Sequence, residues 1–135
     1  MNAATRILFN SVAALAAGLL IFQIEIALRM PGFWAGTRPI YYDWVGSFVI
    51  LGAIYLIVPL LVLSASSVWR KGHLSIISSC GVPVVWSGLV LLLWARKSWV
   101  YYGEFPWWMM TRDFVPACGA ALTMGWAYWR LSKAN

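Results

Sequence analysis

The sequence predicts an all-α integral membrane protein: one domain of four transmembrane helices in an antiparallel up-down bundle, with both termini in the cytoplasm. Three observations lead there. Of the 135 residues, 62% are hydrophobic and only 10% charged, whereas soluble domains carry roughly 25% charged residues. The mean hydropathy is +0.77, which also excludes disorder, since low hydrophobicity is its compositional signature. The apolar residues fall into four runs, each long enough to cross ~30 Å of hydrocarbon at 1.5 Å per residue. Helices are the form that suits them, because four strands cannot close a barrel and lipid tolerates no open sheet edge.

The first run spans about residues 7–28 and is interrupted by Asn10, Ser11, Gln23 and Glu25. Arg6, the segment 7–15 and Ala14-Leu15-Ala16 resemble the three regions of a signal peptide. The run continues well past that cleavage point, so an uncleaved helix is expected. The second, third and fourth runs cover about 44–64, 74–95 and 114–131. Pro59 and Pro83 are expected to kink the second and third spans, and Pro116 to sit harmlessly in the first turn of the fourth. Small residues mark where helices meet: Ala14 with Gly18 and Ala13 with Ala17 in the first span, and Ala117, Ala121 and Gly125 in the fourth. Trp86, Trp94, Trp126 and Trp129 are too large for so small an interior and are expected to face outward.

Orientation rests on the loops. The N-terminus, the loop 65–73 and the C-terminus hold Arg6, Arg70, Lys71, Arg130 and Lys133, and the opposite loops hold Arg29, Arg38, Arg96, Lys97 and Arg112. The count is equal, so the short, acid-free 65–73 loop decides, and it places both termini on the cytoplasmic side of the membrane. The net charge of +6 reads as this topology signal and as lipid headgroup contact; no nucleic-acid partner is expected.

Twelve of the 22 aromatic residues fall in the two outer loops, among them Trp99, Trp107 and Trp108. An aromatic belt normally marks both interfaces. The one-sided distribution in this tryptophan-rich chain instead suggests a docking face for a partner on the outer side.

Catalytic chemistry has little to work with. His73 is the sole histidine, so bis-histidine haem within the chain is excluded. There is no nucleophile elbow, zinc-protease helix, phosphate loop or dinucleotide turn. Neither enzyme activity nor a cofactor or metal is expected. Cys80 and Cys118, at opposite ends of neighbouring spans, are expected on the order of 20 Å apart and unbridged. Glu25 is the one acidic residue within a span, a costly placement. Arg29, four residues on in the favoured acid-then-base order, is its expected partner near the outer interface, with an ion relay as the alternative.

The stretch Gln23 to Ile76 carries a resemblance. It reads Gln-Ile-Glu-Ile-Ala-Leu-Arg-Met, an aromatic loop ending in Asp43, an apolar span, and then Trp69-Arg70-Lys71-Gly72-His73-Leu74-Ser75-Ile76. This is similar to the small four-helix membrane subunit (DctQ type) of tripartite ATP-independent periplasmic transporters. The resemblance assigns the family's Arg after the first span to Arg29, its acid before the second to Asp43, and its cytoplasmic Arg-x-Gly-His motif to Arg70, Gly72 and His73. It implies a non-catalytic subunit of a secondary solute transporter. Its partners would be a large membrane subunit, surrounding lipids, and a periplasmic protein at the aromatic outer face. The alternatives are an accessory subunit of a terminal oxidase or photosynthetic reaction centre, and a stand-alone small exporter.

Overall fold

A computed structural model describes residues 2–29, 53–71, 73–104 and 107–134, with 26–27, 29, 53–54 and 107–114 described by backbone alone. The described residues are helical, with no strand among them: α1 (Ala3–Arg29), α2 (Val58–Trp69) led by a π-helical turn (Ala53–Ile57), α3 (Ile76–Tyr102) and α4 (Trp107–Ala134). The all-helical class is as expected.

The helices outrun the apolar runs because polar caps, not hydropathy, set their ends. Asn2 caps α1, its Oδ1 accepting from the Thr5 backbone N–H at 2.8 Å and from the Thr5 hydroxyl at 2.7 Å; this satisfies one of the orphan donors at the helix start. Ser75 caps α3 by accepting from the Ser78 N–H at 3.1 Å. α3 then runs through Arg96 and Lys97 to Gly103, whose φ of 70° closes the helix with a bond to the Trp99 carbonyl at 2.9 Å. That left-handed position is where glycine costs least.

Pro116 departs from expectation. α4 begins at Trp107, so Pro116 stands in the helix interior rather than in its first turn. The start signal is Pro106, immediately before the helix in sequence, and 107–113 contains no residue that would break it. Pro59 lies at the head of α2, directly after the π turn. Its ring crowds the carbonyl four residues back, and the wider turn accommodates it.

α4 packs along α1 on one side and α3 on the other, using the small residues singled out above. Ala14, Ala117, Ala120, Ala121 and Met124 are fully buried. A Cβ on Gly18 would meet the Met124 Cβ at 3.0 Å and the Ala120 carbonyl at 3.2 Å. At the α3–α4 crossing a Cβ on Gly125 would overlap the backbone of Ser79 and Cys80. The Ser79 hydroxyl donates to the Gly125 carbonyl at 2.8 Å. Pro83, four residues beyond Ser79, has no N–H to give the Ser79 carbonyl. That carbonyl is the group closest to Gly125, so proline on one helix and glycine on the other form one joint. α1 meets α2 through the Ser11 and Ser64 hydroxyls, 2.9 Å apart.

The interior is mainly apolar but holds several polar side chains, and many large apolar side chains lie on the surface. Asn10, Gln23, Ser79 and Ser87 are buried, while Leu28, Leu93 and Ile77 are at least 65% exposed. Trp94 and Trp126 face outward as expected. Trp86 instead packs against the core, and Trp129 is half-buried beneath Lys133, whose Nζ stands 4.5 Å from the ring centroid. Two helical segments, Ala3–Glu25 and Ile76–Tyr102, are long and apolar enough to cross a membrane. The described part of α2 is shorter, and α4 is less apolar.

Candidate functional site

The start of α1, the α2–α3 connection and the end of α4 converge on one cleft of about 1050 Å³. The connection is shaped by its backbone. The Arg70 N–H bonds the Ser66 carbonyl at 2.9 Å, the Lys71 N–H the Val68 carbonyl at 3.3 Å, and the His73 N–H the Arg70 carbonyl at 3.1 Å. Lys71 itself adopts the left-handed conformation, with φ 52°. Sequence reasoning gives that turning role to Gly72, which lies outside the described residues. A non-glycine residue held there costs on the order of 1 kcal/mol.

This turn puts Lys71 and His73 on the cleft wall, opposite Arg6 on α1 and Lys133 on α4. Asn10, Ser67, Ser75 and Ser132 supply further polar groups, and among the described residues no Asp or Glu lines the cleft. The Ser132 hydroxyl is buried and has no hydrogen-bond partner among the described residues. One turn deeper on α4 the buried Tyr128 hydroxyl is in the same condition. Arg70 is exposed and does not line the cleft. The arrangement can receive an acceptor-rich anion: three permanent cations, one imidazole and hydroxyl donors around a common space.

The other residues singled out from the sequence lie elsewhere. Glu25 reaches across to α4, where its carboxylate lies against the backbone at Gly119; glycine is what leaves room for it. The Arg29 side chain, Asp43, Gly72 and the side chains of Trp107 and Trp108 are outside the described residues, as is the whole aromatic segment 33–44. Trp99, Tyr101 and Tyr102 are exposed along the last turn of α3. The Cys80 thiol contacts the Leu122 carbonyl at 3.9 Å, one turn from Cys118, so the two cysteines stand closer than the register of the apolar runs suggests. Both are free thiols. Among the described residues no three His, Cys, Asp or Glu side chains gather as a metal site would require.

A second concavity, of about 410 Å³, lies between α2 and α3 and is lined by Val58, Pro59, Val62, Val85, Trp86 and Leu89, with Ser78, Gly81 and Val82. Its exposed wall is apolar.

Sequence reasoning counted Arg6 and Lys133 only as topology charges and passed over Asn10 and Ser132 as site residues. The spacing of Trp129 and Lys133, one turn apart, was the available sign that Lys133 bends back over the bundle. No protein-family model matches the chain, and no curated protein or solved structure matches it.

Proposed function

We propose that the chain is a non-catalytic accessory subunit of a larger membrane complex, the small membrane subunit of a secondary solute transporter of the tripartite ATP-independent periplasmic type. In this reading all four helices span the bacterial inner membrane, with the basic cleft at the cytoplasmic end and the aromatic segments outside. The observation that carries the reading is the outer face of α3. Gly81 and Gly88 lie two turns apart on that helix, and a Cβ at either would meet nothing within 4 Å. Gly81 also opens onto the apolar groove beside α2. In lipid, small residues are used where another helix comes close, and among the described residues no helix does so at Gly81 or Gly88. A helix of the large subunit is the occupant that fits.

Arg70, exposed beside the cleft, and His73 are the cytoplasmic contacts to the same partner. Replacing both (Arg70→Ala with His73→Ala) should leave membrane insertion intact and reduce recovery of the large subunit on affinity purification in mild detergent. Full recovery with full transport would reduce the loop to a topology signal. A coloured complex would favour the oxidase or reaction-centre alternative instead.

A further inference from the structure

We propose that the basic cleft is a binding site for the phosphate headgroup of an anionic phospholipid, with phosphatidylglycerol as the simplest ligand. The proposal rests on the membrane reading above, which puts the cleft at headgroup depth.

Four features select this ligand. Arg6, Lys71 and Lys133 come from three separate segments and line one space, with no Asp or Glu in that lining among the described residues. An anion seated there is attracted by these charges together. The buried hydroxyl of Ser132, a residue that lines the cleft, has no hydrogen-bond partner among the described residues; phosphate oxygens supply acceptors without competing donors. Lys71 is held in a left-handed backbone, a conformation that asparagine or glycine would adopt at lower cost. The surface around the cleft is apolar rather than polar: Leu8 and Phe9 on α1 and Val68 and Trp69 on α2 are each more than half exposed. A soluble anion has no use for that surface, whereas acyl chains lie along it. Basic pockets between helices at the cytoplasmic side are the expected form of headgroup recognition.

The test uses the full chain purified in an uncharged detergent, with thermal unfolding followed as lipid is added. Phosphatidylglycerol should raise the midpoint in a saturable way, while phosphatidylcholine of the same acyl composition should not. Apparent affinity should fall roughly fivefold for each charge removed in Arg6→Gln, Lys71→Gln and Lys133→Gln. Lys71→Gly guards against misfolding as an explanation. It relieves the left-handed backbone, so the lipid-free midpoint should hold or rise while the response to phosphatidylglycerol weakens. Equal responses to both lipids, or an undiminished response in the triple variant, would overturn the proposal. So would a matching response to inorganic phosphate, which would assign the cleft to a soluble anion, or to an acidic peptide, which would assign it to a protein. Carbonate extraction of the source membranes separates the two levels of failure. A chain released by carbonate removes the membrane reading together with the lipid site. A chain retained in the bilayer but indifferent to headgroup charge overturns the lipid site alone.

Discussion

Gly125→Val is expected to be the most damaging single substitution in this chain. The position of its first side-chain carbon is already occupied by the backbone of Ser79 and Cys80. Backbone cannot swing aside as a side-chain tip can, so α3 and α4 must separate. Separation also breaks the bond from the Ser79 hydroxyl to the Gly125 carbonyl and leaves the carbonyl freed by Pro83 without its close neighbour. Overpacking typically costs about 1–3 kcal/mol, and the upper end applies where no side chain can yield. In detergent this corresponds to a fall in unfolding midpoint of roughly 10 °C. Gly18→Ala should cost less. Its nearest neighbours, the Met124 Cβ and the Ala120 carbonyl, stand at 3.0 and 3.2 Å and need give only a few tenths of an ångström. Equal stability of Gly125→Val and the parent chain would mean that the α3–α4 crossing is not as described.

The second large effect is on assembly rather than on folding. Gly81→Leu with Gly88→Leu should leave the isolated chain as stable as the parent or slightly more so. A Cβ at either position meets nothing within 4 Å among the described residues, and glycine inside a helix costs roughly 0.5–1 kcal/mol relative to alanine. Against a partner helix the same side chains act as wedges. At about 1–3 kcal/mol of overpacking each, association should weaken on the order of 100-fold. The pairing of unchanged stability with lost association is the signature. Loss of both would make these glycines ordinary folding determinants, and loss of neither would leave the α3 face without a partner.

The helices were legible because each contains a long apolar run, and the crossings were partly legible because small residues cluster where backbones approach. Helix ends were less so. The apolar run of α3 stops near Ala95, yet the helix continues to the glycine cap at 103; hydropathy reports what suits lipid, not where the backbone stops bonding. Treating the two as one also misplaced Pro116. The joint of Pro83 with Gly125 could not be read in advance, since it depends on which turn of α3 faces which turn of α4. Glu25 shows the same limit. Four-residue spacing points along α1 to Arg29, whose side chain lies outside the described residues; the contact of the carboxylate with α4 at Gly119 is tertiary and has no local signal. The cleft was half visible. Arg6, Lys71 and Lys133 stand out as charges, but their convergence comes from three helix ends meeting, and Ser132 carries no sign of its place there.

The most direct test of the central claim is affinity purification of the tagged parent chain from its source cells in mild detergent, with the recovered proteins quantified. A partner-subunit role predicts one large, apolar, multi-helix protein in stoichiometric amount, transport activity in the reconstituted pair, and none in the small chain alone. Recovery of the small chain by itself, active in transport or catalysis after reconstitution, would contradict it.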